Sequence, residues 1–359
     1  ARYCCGWASW VSKSQHQEQA TREMKRGRED LEKAGLVADH YSSRENQSRT
    51  QRKQSPIYHL RLLNNWIKSV LIQRYTPDKA RVLDLACGKG GDLPKWGKAN
   101  IEYYCGIDIA KESVKSHARS RYNQDNYRFP AHFMCIDAFQ VDLTPLAPHP
   151  GSYDICSCQF AFHYSFATET RARQTLKNVA SLLRPGGCFI GTTPDANVIV
   201  KNLRASKGLS FGNGCYLVEF SEKCKDKDFL QAFGNEYNFT LTDAVDAVPE
   251  YLVPFQTLEK IAKDEGLHLE LRANFHDFFS ERRTDPGAEL LLRQMKVLED
   301  PRSQSSISPD EWEASRIYLV FVFRKTAEQW EINHARKTRP PPGEVRKIQE
   351  EDVVVVEST

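Results

Sequence analysis

The chain has 359 residues, of which 40% are hydrophobic and 27% are charged, so it holds enough apolar material for a large core and is not a wholly disordered protein. Its 50 Lys and Arg residues nearly balance 47 Asp and Glu residues, which excludes a protein that coats nucleic acid by bulk positive charge. Any phosphate-binding surface must therefore be a local patch.

The two ends of the chain differ in composition from the body between them. Residues 1–56 are rich in Gln, Ser, Arg, Lys and Glu, and we expect a mostly disordered basic arm. Its Lys-Arg-Gly-Arg stretch at 25–28 fits either a nuclear address or a solvated charge cluster. Residues 327–359 contain three consecutive prolines and excess acidic groups, which predicts a disordered charged tail. Residues 57–326 then form one α/β domain, with a lobe inserted within about 195–310.

Short apolar strands alternate with helical patterns along this body. Helices are predicted from the spacing of apolar residues at 57–71, 110–122 and 167–183. Strands are predicted at 81–86, 101–107, 132–136, 153–158 and 188–192. This alternation indicates a doubly wound, mostly parallel sheet. Aromatic strands around 211–220 and 233–240, followed by a late strand at 317–323, predict an antiparallel edge and a substrate lobe.

The sharpest local signal is the turn after the first predicted strand. Asp84 lies in that strand, and the turn reads Gly-Lys-Gly-Gly at 88–91, so backbone N–H groups are available to a ligand. The spacing is neither G-x-G-x-x-G nor a phosphate loop. Asp108 ends the next strand, where a carboxylate can accept hydrogen bonds from both ribose hydroxyls of an adenosine cofactor. Asp137 follows the third strand and suits the adenine amino group.

These strand ends resemble the class I methyltransferase fold, a Rossmann-like seven-stranded sheet that binds S-adenosylmethionine. The alternative is a glycine turn that binds no ligand. One departure is Ala86, where the family usually has Gly. If this position needs a positive φ, the methyl group costs about 1 kcal/mol, which weakens the loop without disqualifying it.

Four further segments carry a more specific signal. They are N-N-W-x-K at 64–68, C-Q-F-x-x-H-Y-S-F at 158–166, V-P-E at 248–250 and the last strand near Tyr318. Together with G-K-G-G-D after Cys87, they resemble the eukaryotic mRNA cap (guanine-N7) methyltransferase family over about residues 57 to 325. The resemblance implies an enzyme that transfers a methyl group from S-adenosylmethionine to N7 of the guanosine cap at the 5′ end of mRNA.

The resemblance also assigns residues, partners and a location. Positions that match cofactor contacts are Lys68, the backbone of Ala86, Asp108, Asp137, Gln159 and Tyr164. Positions that match contacts to the capped RNA are Asn64, Asn65, Lys89, Lys95, Arg121, His163, Glu250 and Tyr318. It implies a nuclear protein, and the animal relatives use a small activating subunit on the outer lobe. Residues 276–310, with apolar residues at helical spacing, are a candidate surface for it; a buried lobe helix explains that spacing equally well.

The chemistry of these residues supports the same assignment. Guanine presents N1–H and N2–H donors, and the carboxylate of Glu250 can accept both, whereas Lys89, Lys95 and Arg121 can compensate a 5′-5′ triphosphate. Guanine N7 is an unprotonated lone pair at neutral pH, so no general base is needed. His163, Tyr164 and Glu250 are therefore expected to act by orientation alone.

Several alternatives remain open from the residues. One is a class I methyltransferase for another RNA or a small metabolite, and another is a cap-binding protein without catalysis. Glu250 beside Pro249 also fits the first turn of a helix, where a carboxylate stabilises the dipole. The ten cysteines include no C-x-x-C pair, which favours buried free thiols over disulfides, and no metal is expected. No apolar run approaches the ~20 residues of a membrane span, so no membrane partner is expected.

Overall fold

The computed structural model describes residues 33, 35–40, 42, 49–300 and 305–356, so most of the predicted arm lies outside the described residues. The helices are α1 Arg49–Gln54, α2 Tyr58–Tyr75, α3 Leu93–Lys98, α4 Arg119–Gln124, α5 Glu169–Leu182, α6 Ala196–Ala205, α7 Phe255–Asp264, α8 Phe275–Arg282, α9 Pro286–Met295, α10 Pro309–Ser315 and α11 Gln329–Thr338. The strands are β1 Arg81–Leu85, β2 Tyr103–Asp108, β3 Ala131–Cys135, β4 Tyr153–Gln159, β5 Leu183–Pro194, β6 Ser210–Gly212, β7 Tyr216–Glu219, β8 Glu236–Leu241, β9 Val245–Tyr251, β10 Leu267–Asn274, β11 Glu299–Asp300, β12 Ser305–Ser306, β13 Tyr318–Lys325 and β14 Val354–Val355.

The central sheet has eight strands in the order β10-β13-β5-β4-β1-β2-β3-β14. Strands β5, β4, β1, β2, β3 and β14 are mutually parallel, whereas β13 runs antiparallel to β5 and β10. Strands β1, β2 and β4 are buried along their whole length, as expected for strands covered on both faces. The mostly parallel sheet with an antiparallel edge is therefore confirmed, with one strand more than the seven expected.

The extra strand comes from the segment predicted to be a disordered tail. The structure differs from that expectation, because α11 packs on β5 and Ile348 is buried against the body. The side-chain amide of Asn123 donates to Ile348 O at 2.8 Å and accepts from Ile348 N at 2.9 Å. β14 then pairs in parallel with β3. Specific contacts to the body thus order a segment whose composition alone indicates disorder.

The substrate lobe is built on the antiparallel sheet β6-β7-β8-β9. Burial alternates along β7, with Tyr216 and Val218 buried and their neighbours exposed, as in a sheet that has one solvated face. The lobe is not a continuous insertion over 195–310, since β10 belongs to the central sheet. α9 packs on α2, where Trp66 Nε1 donates to Ala288 O at 2.8 Å.

Two predicted elements differ in detail from the structure. The strand predicted at 188–192 begins at Leu183, so Arg184-Pro185-Gly186-Gly187 lies inside β5, and the register shift between Tyr153 and Ile155 accommodates it. The helix predicted at 110–122 spans residues 111–124, with a π-helical segment at Ser113–Ala118 before α4. In the part of the chain that the structure describes, no helix is long and apolar enough to cross a membrane.

Candidate functional site

The glycine turn leaves the carboxyl end of β1 with three residues in the left-handed region. Ala86, Gly88 and Gly90 have φ values of 61°, 54° and 69°. A Cβ on Gly90 would lie 2.8 Å from Leu93 Cδ1 and 3.2 Å from Ala118 Cα, so only glycine fits there. Ala86 adopts a positive φ, which glycine tolerates and alanine does not favour, so its methyl group strains the backbone at this position.

Asp108 ties this turn to β2. Its Oδ2 accepts a hydrogen bond from Gly88 N at 2.7 Å, and its Oδ1 accepts one from Ala110 N at 2.8 Å. A carboxylate has about four acceptor positions, so about two remain for the hydroxyls of a ribose. Burial raises the pKa of Asp108, and the two backbone donors oppose that rise. The remaining acceptor positions of Asp108 and the open backbone turn fit an adenosine cofactor.

Asp137, after β3, is already engaged by the protein. Arg171 on α5 donates to both carboxylate oxygens, at 2.9 and 3.2 Å, and Phe139 N donates to Oδ1 at 3.0 Å. These contacts fill about three of the roughly four acceptor positions and leave one for a single donor. An adenine amino group needs only one. Arg171 is a site component that the sequence did not indicate, because α5 is far from β3 along the chain.

Asp92 holds two predicted site lysines together. Lys68 Nζ on α2 lies 2.8 Å from Asp92 Oδ1, and Lys95 Nζ on α3 lies 2.7 Å from the same atom. Lys95 Nζ also donates to Asn65 Oδ1 at 2.9 Å. Burial opposes ionisation of Asp92, but the two ammonium groups hold its pKa well below its usual range. The predicted cofactor lysine and the predicted cap lysine therefore form one cluster.

From Lys68 of this cluster, aromatic contacts connect α2 to the lobe. Lys68 Nζ lies 5.9 Å from the ring centroid of Phe160, and the ring of Phe160 lies 5.0 Å from that of Tyr318. Tyr318 also packs against Phe239 of β8, at 6.5 Å. Gln159 Nε2 donates to Ser157 Oγ, and its Oε1 accepts from Thr192 Oγ1, each at 3.2 Å. Gln159 is thus held in place by its neighbours in the sheet.

Glu250 lies in β9 and not in a helix, so the helix-dipole alternative is wrong. Its side chain is buried, and its Oε2 accepts a hydrogen bond from Tyr237 Oη at 2.7 Å. His163 Nε2 lies 3.4 Å from Glu250 Oε1, but neither ring nitrogen of His163 has a hydrogen-bond partner. Tyr237 is a second component absent from the sequence-based site. It faces Glu250 across the β8–β9 register, which the V-P-E motif alone does not specify.

The remaining predicted residues surround the same space. The ring of Tyr164 lies 4.2 Å from that of His163. Asn64 Oδ1 is buried without a hydrogen-bond partner. Lys89 is half-buried in the glycine turn, and Arg121 Nη1 reaches Gly90 O at 3.5 Å. Contacts therefore connect the turn, α2 and the lobe, whereas Asp137 lies at a separate strand end.

The comparisons with known proteins agree on one family. A family model described as the mRNA (guanine-N(7))-methyltransferase domain matches residues 24–326. The chain belongs to this family. The mRNA cap guanine-N(7) methyltransferase 1 of Oryza sativa subsp. japonica is 50% identical over 310 residues, 84% of each chain. The protein of the same name from Arabidopsis thaliana is 47% identical over 336 residues, 90% of each chain.

More distant relatives give the same result. The mRNA cap guanine-N(7) methyltransferase of Schizosaccharomyces pombe is 40% identical over 297 residues, 81% of this chain and 82% of that one. Among solved structures, the CcbJ methyltransferase from Streptomyces caelestis matches with a TM-score of 0.46 at 15% identity, over 81% of this chain and 96% of that one. That structural match is too weak to add to the assignment.

The family match and the described side chains bear on three further expectations: the extent of the arm, the presence of a metal site and the state of the cysteines. The family match begins at residue 24, so the domain reaches into the segment predicted as a disordered arm. Among the described residues, no three His, Cys, Asp or Glu side chains are grouped to hold a metal ion. The eight cysteines of that part of the chain are free thiols, and all except Cys224 are buried, as predicted.

Proposed function

We propose that this chain transfers a methyl group from S-adenosylmethionine to N7 of the guanosine cap of mRNA, in the space between the glycine turn, α2 and the lobe. The observation that carries the site assignment is the buried carboxylate of Glu250, 3.4 Å from His163 Nε2, together with the buried Nδ1 of His163, which has no hydrogen-bond partner. Buried polar groups without partners are costly, and a polar ligand between the lobe and the sheet would supply the missing contacts.

The cofactor half of the proposed site follows the carboxyl ends of β1, β2 and β4. Asp108 would accept from the ribose hydroxyls, and Asp137 would accept from the adenine amino group. The backbone of Ala86 and the side chains of Lys68, Gln159 and Tyr164 would line the rest. S-adenosylmethionine supplies an electrophilic methyl group on a sulfonium. The residues of the chain bind and orient it and take part in no proton transfer.

The cap half of the proposed site reads guanine and compensates phosphate. Tyr237 fills one of about four acceptor positions of Glu250, which leaves enough for guanine N1–H and N2–H. His163 would supply polar contacts from the side of the 3₁₀ turn Phe162–Ala167. The triphosphate would meet the positive groups of the turn and its flanking helices. These are Lys89, Lys95 and Arg121, with Asn64, Asn65 and Tyr318 beside them.

Catalysis in this proposal is positional. Guanine N7 carries a free lone pair at neutral pH, so the rate depends on holding N7 in line with the methyl group and on the electrostatic fit to moving charge. His163, Tyr164 and Glu250 orient the base. Burial raises the pKa of the thiols of Cys87 and Cys158 well above the usual range, which argues against cysteine nucleophiles.

Methyl transfer from labelled S-adenosylmethionine tests the proposal. We expect transfer to GpppG-capped RNA, with no transfer to uncapped RNA of the same sequence. Transfer to a small metabolite and none to capped RNA would favour the alternative substrate class. Cap binding without turnover would favour a non-catalytic role.

We further propose that a small activating subunit contacts the outer side of the lobe. α9 buries Ala288 and Leu291 toward the body, whereas Leu290 is 56% exposed and remains accessible to a partner. Leu290→Asp should therefore abolish activation by such a subunit and leave the rate without the subunit unchanged. Equal activation of both proteins would remove α9 from the contact.

We also propose a nuclear location, supported by the Lys-Arg-Gly-Arg stretch at 25–28 and by the RNA substrate. A fluorescent fusion of the full chain should accumulate in nuclei. Changing the three basic residues of this stretch to Ala should reduce that accumulation. A cytoplasmic wild-type fusion would contradict the proposal.

A further inference from the structure

Residues 344–356, which we call the C-terminal strap, run across the outer surface of the π turn and α4 to the edge of β3. Ile348 and Val353 are 4% and 5% exposed, so the strap has its own buried contacts. Asn123 forms two hydrogen bonds to the backbone of Ile348, and Arg119 Nη1 adds a third to Ile348 O at 3.3 Å.

The strap ends beside the proposed adenine site. Val354 and Val355 pair with Met134 and Cys135 of β3, and Val356 N donates to Cys135 O at 3.1 Å. β3 is the strand that leads directly into Asp137. The last described residues of the strap therefore lie at the same strand end as the carboxylate proposed to bind the adenine amino group.

A cavity of about 240 Å³ lies between the strap and the ends of β2 and β3. It is lined by Ile109, Lys111, Cys135, Ile136, Asp137, Val355 and Val356. Pockets that enclose a whole drug-sized ligand measure roughly 300–1,000 Å³, so this cavity suits one flat part of a larger ligand. Its lining combines apolar side chains with one carboxylate, Asp137, and one ammonium-bearing side chain, Lys111. That combination matches a nucleobase that stacks by its faces and donates through one amino group.

We propose that the C-terminal strap forms the outer wall of the adenine pocket, with Val355 and Val356 in contact with the base. This inference rests on the proposed function of Asp108 and Asp137 and adds a wall from the end of the chain. The strap would close the side of the pocket that β3, as an edge strand, would leave open to water. Cofactor binding and strap docking are then linked, so each must favour the other.

The first experiment measures ligand affinity of the full chain by calorimetry. Val356→Ala removes apolar surface at the wall, and each lost methylene-sized contact is worth about 4-fold in affinity. We expect about 3- to 15-fold weaker binding of both S-adenosylhomocysteine and 5′-methylthioadenosine, because the two share the adenine. Val345→Ala is the matched control, since Val345 is 51% exposed elsewhere in the strap. Unchanged binding of both ligands by Val356→Ala would overturn the proposal.

A second experiment needs no change in the pocket. Hydrogen exchange of residues 348–356 should slow at least several-fold when S-adenosylhomocysteine is added to the wild-type chain. Asn123→Ala, which removes both amide bonds to Ile348, should speed that exchange and weaken cofactor binding while leaving affinity for the dinucleotide GpppG within 2-fold. If the exchange rate of residues 348–356 in the wild-type chain is the same with and without S-adenosylhomocysteine, the linkage is contradicted. This result does not depend on whether a strap variant folds.

Failure of the strap can be separated from failure of the site by one further variant. Asp108→Ala should lose cofactor affinity whether or not the strap is a wall. If Asp108→Ala loses affinity and Val356→Ala does not, the strap proposal fails and the cofactor site stands. If Asp108→Ala keeps its affinity, the proposed cofactor site itself is wrong.

Discussion

The two halves of the site differ in how their buried polar groups are satisfied. In the proposed cofactor half, Asp108 accepts from two backbone N–H groups, and Lys68 pairs with the carboxylate of Asp92. In the proposed cap half, the Nδ1 atom of His163 and the Oδ1 atom of Asn64 are buried without hydrogen-bond partners. An unpaired buried group costs about 1–3 kcal/mol, so the cap half gains stability from a polar ligand that the cofactor half does not need. Pre-organisation is thus stronger in the half proposed to bind the cofactor.

Asp108→Ala should break the cofactor half alone. It removes the acceptor for two ribose hydroxyls, each worth about 1–3 kcal/mol to a charged group, and also releases Gly88 and Ala110. We expect S-adenosylhomocysteine affinity, measured by calorimetry, to fall by at least about 30-fold while GpppG affinity changes little. Asp108→Asn keeps the shape and one acceptor and should lose less. Unchanged affinity in the Ala variant would exclude this residue from the site.

Glu250→Gln should break the cap half alone. One acceptor becomes a donor that opposes a guanine donor in a buried pocket, which should cost roughly 2–4 kcal/mol, or about 30- to 1,000-fold in transfer efficiency. S-adenosylhomocysteine affinity should stay within a few-fold. The measurement is steady-state transfer to GpppG-RNA beside a thermal melt.

Tyr237→Phe is the matched control for this variant. It removes the hydroxyl that holds Glu250 and keeps both carboxylate acceptors, so we expect a loss of only about 10-fold. Normal kinetics in a destabilised Glu250→Gln protein would show that the carboxylate is structural and does not read guanine.

Asp84, buried in β1, makes the stability of the fold sensitive to pH. Burial, with help from the nearby Asp92 carboxylate, raises its pKa from 3.8 to about 7. The folded state holds this proton more tightly than the unfolded chain does, so the stability it contributes is full below pH 3.8 and is lost as the pH rises to about 7. Between pH 5 and 7 the wild type should lose about 2 kcal/mol more free energy of unfolding than Asp84→Asn. Urea unfolding at both pH values measures this, and parallel curves would disprove it.

Ala86→Gly should have the smallest effect of these substitutions, a modest gain in turn stability and in cofactor affinity. A non-glycine residue at a φ of 61° is strained, so glycine should stabilise the turn by about 1 kcal/mol and bind S-adenosylhomocysteine up to about 5-fold more tightly. Lys79→Gly, at a φ of 55°, is the control: it should raise the melting temperature without changing ligand affinity. A lower melting temperature for Ala86→Gly would argue against strain.

The sequence pattern indicated strand ends more directly than cross-strand contacts, and in each proposed half it missed one component, Arg171 beside Asp137 and Tyr237 beside Glu250. Asp84 and Asp108 lie at the ends of successive parallel strands, and such ends meet at one edge of a sheet. Tyr237 instead reaches Glu250 through a cross-strand register that depends on turn geometry. The strap was missed because its contacts, such as the amide pair between Asn123 and Ile348, join residues about 225 positions apart and leave no periodicity to detect.

The position of β13 in the sheet has a consequence for how the chain is made. β13 lies between β5 and β10, so β10 cannot join the sheet until residues 318–325 have been synthesised. At about 5–20 residues per second, β10 leaves the ribosome several seconds before its sheet neighbour. Through that interval its backbone N–H and C=O groups are an open edge. A nascent chain that stalls there would be a substrate for chaperones, and the sheet is completed only by its last strands.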